Sequence, residues 1–217
     1  MILFQIDSEW RERLEAARLG DFSSLISFHD GKCLSKHPRG KTYRWALPCG
    51  QQVFIKQDFY TKKIVVLRDL LRLRRPEPNT EKERQRMELA ASHGFRVAKV
   101  IAYGQERGFL GIPSRAVMVT LPVPGKPLDV FLQEGPEPAR AQQAIVNAEA
   151  TLTRLQDEGL DWKVDCKPEH FFIDDDLSVS LIDVERLADR HQPLPQDYRD
   201  MQFRRFRSLL PTEANHR

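Results

Sequence analysis

The hydrophobic and polar positions of residues 42–47 and 51–57 form strand-like runs, and Pro48-Cys49-Gly50 between them supplies the turn of a hairpin. In the second run Val53 and Ile55 point to one face, and Phe54 and Lys56 to the other. A helical period follows. Ile64, Leu67 and Leu71 form one stripe and Glu83, Met87, Ala90 and Gly94 a second, with Pro76 and Pro78 separating the two helices. Upstream, Ser8 is placed to cap a helix over 8–18 that carries Trp10, Leu14 and Ala17 on one face and stops at Gly20. Further strands are expected over 97–103 and 116–121, before Pro122-Val123-Pro124-Gly125 breaks regular structure. Beyond it, Ile145, Ala148, Leu152 and Leu155 mark a long helix ending near Gly159, and residues 171–173 and 179–182 read as paired strands joined by the acidic turn Asp174-Asp175-Asp176. The expected organisation is an N-terminal accessory helix (1–22), a β-rich lobe (23–123) and a reduced, mainly helical lobe (124–217).

Composition narrows this picture. With 41% hydrophobic and 30% charged residues the chain should fold, and 217 residues suffice for one domain or for two small lobes sharing a cleft. The net charge is only +3, yet Lys62, Lys63, Arg68, Arg72, Arg74 and Arg75 crowd one segment, so the positive field is local. That segment would suit an anionic partner, with a solvated helix face as the default reading. A second cluster at Arg204, Arg205 and Arg207 and a pI of 8.8 raise nucleic-acid binding, but no recognised motif or aromatic interleaving accompanies them, and no nucleic-acid partner is expected. Cys33, Cys49 and Cys166 lack zinc-site or disulfide-framework spacing and fit a reducing cytoplasm. Met1-Ile2-Leu3-Phe4 meets Asp7 and Glu9 too soon for a secretory leader, and no run nears the ~20 apolar residues of a membrane span. The expected location is cytoplasmic, or peripheral to the inner membrane.

The segment with the most chemistry is Asp165-Cys166-Lys167-Pro168-Glu169-His170-Phe171-Phe172-Ile173, followed by Leu181-Ile182-Asp183. Magnesium holds phosphate through hard oxygen ligands, usually one or two carboxylates, and a hydroxyl nucleophile needs a carboxylate to take its proton. Two loop aspartates can meet both needs; a surface hairpin with solvated acids is the alternative. Cys166 has no flanking pattern that would activate a thiolate.

The order of elements (a strand hairpin with a Lys, a helix with a Glu, two strands, a connector, a helix, then Asp165 and Asp183) resembles the protein-kinase-like bilobal α+β fold. Within that superfamily, Val53-Phe54-Ile55-Lys56-Gln57-Asp58-Phe59, the basic run Leu70-Leu71-Arg72-Leu73-Arg74 and Glu81-Lys82-Glu83-Arg84 resemble the lipopolysaccharide core kinases of the Kdo/WaaP (InaA-like) family, over about residues 35–190. The resemblance implies ATP and Mg2+ as cofactors, with a lipopolysaccharide core sugar or other anionic glycolipid as acceptor. It implies that Lys56 binds the α and β phosphates and that Glu83 positions it, a pair that is otherwise purely structural. Asp165 would orient or deprotonate the acceptor, Lys167 would neutralise the transferring phosphoryl group, and Asp183 would hold magnesium.

His170 stands where protein kinases have the catalytic-loop Asn, as in the family; it would be a metal ligand or would brace Asp165 or Asp183 by a hydrogen bond. Lys36-His37-Pro38-Arg39-Gly40-Lys41 occupies the place of a glycine-rich phosphate loop with Gly40 as its one glycine, and reads either as a phosphate cover or as a basic turn. Lys163-Val164 before Asp165 and Val184-Glu185 after Asp183 depart from the kinase pattern, which leaves a non-catalytic, pseudokinase-like binding or regulatory protein of envelope biogenesis as the second expectation. The 34 residues after Asp183 allow roughly one helix and a tail, too little for a protein-substrate platform. The sequence leaves the oligomeric state open.

Overall fold

Strand alternation in the first half of the chain builds a six-stranded antiparallel sheet. The computed structural model describes residues 1–108 and 111–211. Its chain divides into two compact units, Met1–Gln85 with Lys99–Pro122, and Arg86–Ala98 with Val123–Arg217. In chain order the elements up to Thr120 are β1 (Ile2–Ile6), α1 (Arg11–Ala16), α2 (Phe22–Ser27), β2 (Lys32–His37), β3 (Gly40–Ala46), β4 (Gln52–Asp58), α3 (Lys63–Leu71), α4 (Asn79–Ser92), β5 (Arg96–Val97), β6 (Val100–Arg107) and β7 (Pro113–Thr120). They are followed by β8 (Lys126–Pro127), α5 (Leu128–Gln133), α6 (Pro138–Asp157), β9 (Leu160–Asp161), β10 (Phe171–Ile173), β11 (Val179–Leu181), β12 (Ala188–Asp189) and α7 (Gln196–Ser208). The class is α+β.

In the first unit the sheet runs β1-β6-β7-β4-β3-β2, so β4 is an interior strand paired on both sides. Val53 and Ile55 lie fully buried against Trp10, Leu14, Leu25, Val117 and Val119, and this face forms the core. Gln57 shares that face, and its side-chain amide donates to the carbonyls of Leu25 and Phe28 at 2.9 Å each, tying the end of α2 to the strand. The hairpin turn forms as expected, with Leu47 N–H on the Gln51 carbonyl at 2.8 Å and Gly50 in the left-handed region.

Several expectations are corrected here. The first helix is capped by Asp7, whose carboxylate accepts from Glu9 N–H at 3.0 Å, not by Ser8; a single 3-10 turn precedes α1, and the chain turns off at Arg18 (φ 57°) before Gly20. Residues 2–6, an apolar start with no assigned element in the sequence reading, are an edge strand on β6. The expected strand over 97–103 is two strands, because β5 joins β11 in the second unit while β6 belongs to the first. The stripe Ile64, Leu67, Leu71, which the helical period assigned to no packing partner, is exposed at all three positions.

The second unit packs α5, α6 and α7 with a small sheet ordered β5-β11-β10-β8 and the β12–β9 pair. The stripe of α6 is buried at Ala144, Ala148, Leu152 and Leu155, and Gly159 ends the helix with φ 73°. Trp162, Phe171 and Phe206 stack in sequence, with ring centroids 5.3 and 5.1 Å apart. Each is fully buried, and burial of a large apolar side chain stabilises by about 1.5–3 kcal/mol. Among the described residues one α-helix, α7, follows Asp183, after a single 3-10 turn at Val184–Arg186.

Candidate active site

In the first unit the strand period alone places Lys56 on the face of β4 opposite the core, between Thr42 of β3 and Met118 of β7. Its ammonium forms an ion pair with Glu83 of α4. What brings α4 there is Asp58, two residues along and on the same face of the strand. Its buried carboxylate accepts the backbone N–H of Thr80 at 2.8 Å, so the helix starts against the end of β4, and one turn later Glu83 reaches Lys56. Asp58 was legible as a same-face neighbour of Lys56, but the sequence reading gave it no role.

Residues 36–41 close the β2–β3 hairpin through Pro38 and Arg39, with His37 paired to Gly40. Gly40 is itself in β3 opposite Asp58, and a Cβ there would run into the Gln57 carbonyl oxygen. Close strand approach therefore accounts for this glycine. The Arg39 carbonyl accepts Phe59 N–H at 2.7 Å, and the Lys41 ammonium lies 5.6 Å from the Phe59 ring centroid.

In the second unit a buried polar post holds the loop. Asp161, at the end of β9, accepts from Lys163 N–H at 2.7 Å, from Arg190 at 2.6 and 3.0 Å, and from the Gln202 amide at 3.3 Å. Gln202, buried on α7, also donates to the Lys163 carbonyl at 3.0 Å and accepts from Gln156 at 2.9 Å. Lys163 is thereby held in the left-handed region (φ 56°), and the chain turns back so that Asp165 N–H bonds the Trp162 carbonyl at 3.1 Å. Asp161, Gln202 and Arg190 were all missed by the sequence reading; only the contact map of the fold brings them together.

From this loop a single 3-10 turn, Pro168–His170, leads into β10. His170 is buried, and because the Asp165 carbonyl can only accept, the imidazole Nδ1–H donates to it, at 2.7 Å. Its Nε2 then faces two carboxylates, Glu169 Oε1 at 3.4 Å and Asp183 Oδ2 at 3.5 Å. The strand pair is in register, Phe171 opposite Leu181, and it is extended by Ile182 N–H on the His170 carbonyl at 3.0 Å. Asp183 comes next with φ 54°, a conformation Asp tolerates, and Trp162 Nε1–H holds its carbonyl at 3.2 Å. Asp165, His170 and Asp183 are thus drawn together, while Lys167 pairs with Glu169 at 3.2 Å. Arg186 Nε lies 3.2 Å from Asp165 Oδ2, a contact the sequence reading did not foresee. Cys166 is fully buried, and burial pushes its thiol up to about 11, which matches the inert role expected of it.

A β-rich unit with a Lys–Glu pair and a second, mainly helical unit with two histidine-linked aspartates define the protein-kinase-like class. Within that class the chain belongs to the lipopolysaccharide kinase (Kdo/WaaP) family, whose profile matches residues 39–215. Among solved structures, WaaP in complex with acyl carrier protein has the same fold, with a TM-score of 0.66 and 20% identity over 98% of this chain and 84% of that one. Fainter likenesses are monomeric WbdD (TM-score 0.49, 18% identity, 81% of this chain and 38% of that one) and the pseudokinase domain of BIR2, an immune regulator of the RLK/Pelle family (0.41, 13%, 82% and 48%). A search of curated proteins gave no match. Kinase chemistry goes with the family, and with it the general use of ATP.

Proposed function

We propose that the protein transfers the γ-phosphoryl group of ATP, with Mg2+, to a hydroxyl of a heptose or Kdo in the lipopolysaccharide inner core. The observation that carries this reading is the link through His170 between Asp165 and Asp183, which are eighteen positions apart in sequence. In the first unit Lys56, held by Glu83, would bind the α and β phosphates, and the hairpin around Gly40 would cover them with backbone amides and the cations of Arg39 and Lys41. In the second unit Asp165 would accept the acceptor hydroxyl's proton as its oxygen bonds to the γ phosphorus and the bond to the β–γ bridging oxygen breaks, releasing ADP, and Lys167 would offset charge on the transferring group.

Asp183 is half exposed and offers one carboxylate, which fits a cation that takes one or two protein oxygens and completes its shell with phosphate and water. Among the described residues no three His, Cys, Asp or Glu side chains group to hold a metal by themselves, in keeping with an ion that arrives with the nucleotide. When bound, Mg2+ would neutralise phosphate charge. For His170 we favour bracing over ligation because an imidazole nitrogen is a poor magnesium donor; the Nδ1–H bond to the Asp165 carbonyl orients the ring in either role.

Asp183→Asn is expected to abolish Mg2+-dependent transfer from ATP to purified core oligosaccharide while its thermal unfolding stays like that of the wild type. Undiminished transfer overturns the reading. A pseudokinase role is favoured by one observation, the Arg186 guanidinium on Asp165; it gains if ATP with Mg2+ gives no thermal stabilisation. We further place the protein in the cytoplasm, peripheral to the inner membrane where a lipid-linked acceptor is presented. Among the described residues no helix is long and apolar enough to cross a membrane.

A further inference from the structure

Helix α3 is built inside out. Of its nine residues only Val66 and Asp69 are buried, whereas Ile64 and Leu71 are 68% and 77% exposed, and Leu73, just past its end, is 97% exposed. At about 100° per residue, Ile64, Leu67 and Leu71 fall within a ~60° arc roughly opposite Val66 and Asp69. Lys63, Arg68 and Arg72 flank that ridge, with Lys62, Arg74 and Arg75 at its two ends. The one acid of residues 60–75, Asp69, is turned inward and paired with Arg68 at 3.2 Å and Lys82 at 3.5 Å, so the outward face combines leucines and cations without a carboxylate. Leu73 sits in the left-handed region (φ 53°), where a leucine is strained, and Arg74 N–H returns to the Asp69 carbonyl at 2.8 Å. The chain holds an apolar side chain out into water at a conformational cost.

From this arrangement we infer that α3 and the turn after it dock on an anionic phospholipid bilayer. Leu67, Leu71 and Leu73 enter the boundary between headgroups and acyl chains, while the surrounding cations meet lipid phosphates. The occupant follows from charge complementarity: an apolar ridge ringed by cations offers both signals that stable peripheral binding needs, insertion and electrostatic attraction. In its use the surface rests on the proposed function, since it would hold the enzyme where a lipid-anchored sugar is found.

The test is co-sedimentation of the full chain with vesicles of phosphatidylethanolamine containing one quarter phosphatidylglycerol, and with vesicles of phosphatidylcholine alone. Leu67→Ser/Leu71→Ser and Lys63→Gln/Arg72→Gln/Arg74→Gln are compared with wild type, the second set sparing the Arg68–Asp69 pair. Wild type is expected to pellet with the anionic vesicles only. The leucine pair should weaken partitioning about tenfold or more at both low and high salt, and the cation set should weaken it chiefly at low salt.

Wild type staying in the supernatant overturns the inference, as does a leucine variant that binds like wild type, which would leave simple charge attraction. A dimer in sedimentation velocity that the leucine changes dissolve overturns it in favour of self-association. Phosphotransfer to soluble, deacylated core oligosaccharide, measured alongside, is expected to be unchanged in both variants. If wild type shows no transfer yet sediments in a leucine-dependent way, the kinase reading falls and the membrane surface stands.

Discussion

Asp161→Ala is expected to destabilise the second unit more than any single surface ion pair would suggest. The carboxylate is 1% exposed and accepts from one backbone N–H, two nitrogens of Arg190 and the Gln202 amide. Removing it leaves one N–H of the buried Gln202 amide without its acceptor, at about 1–3 kcal/mol, and takes away hydrogen bonds to a charged acceptor worth about 1.5–3 kcal/mol before solvent screening. Arg190 is half exposed and recovers water, so its share is discounted. The net expectation is about 3 kcal/mol, with Asp161→Asn near half of that because one acceptor oxygen survives. Urea unfolding is the assay, and at a slope of about 2–3 kcal/mol per molar the midpoint should fall by about 1 M. Arg190→Gln should move it far less. If Asp161→Ala unfolds within about 1 kcal/mol of wild type, or Arg190→Gln costs as much, the carboxylate is not the post on which the Asp165 loop stands.

Asp58→Ala should cost about 1–2 kcal/mol by uncapping α4 and, if that cap positions Glu83, should also weaken ATP-dependent thermal stabilisation; a loss of stability with nucleotide response intact would separate the two. In native protein at pH 8 a thiol reagent is expected to titrate Cys33 and Cys49 and to reach Cys166 only after denaturation; three fast thiols in the native state would contradict its burial. Glu81 is buried, which alone would raise its pKa, but hydrogen bonds led by Arg84, with Gln85 also contributing, hold it below the usual glutamate value. Its folded pKa is depressed, so the stability it adds is present above about pH 4.5 and is lost as pH falls. Glu81→Gln should flatten the acid limb of a melting-temperature profile, and an unchanged slope below pH 5 would count against this linkage.

What could be read in the sequence was what local period encodes. The sidedness of β4, with Val53 and Ile55 inward and Lys56 outward, follows from strand geometry, and the α6 stripe at Ala148, Leu152 and Leu155 follows from helical repeat. The Lys56–Glu83 ion pair was expected from the family resemblance and forms, while the Asp165 and Asp183 segments stood out by their residue types and spacing. Three kinds of information were hidden. A period does not say which side is dry, so the spacing of the α3 stripe did not show that its apolar residues are exposed. A continuous strand-like run does not show where the chain changes partner, so 97–103 hid the break between β5 and β6. Contacts across long separations, such as Gln202 on Lys163 and Arg186 on Asp165, have no signature in either segment alone.

The left-handed backbone at Asp183 limits which side chains the position can host. Asn and Gly accept φ 54° readily, whereas Val or Ile would pay for the conformation before any question of charge arose. A saturation library at this codon should therefore sort first by folding yield. Only among its well-folded survivors would differences in turnover report on the carboxylate.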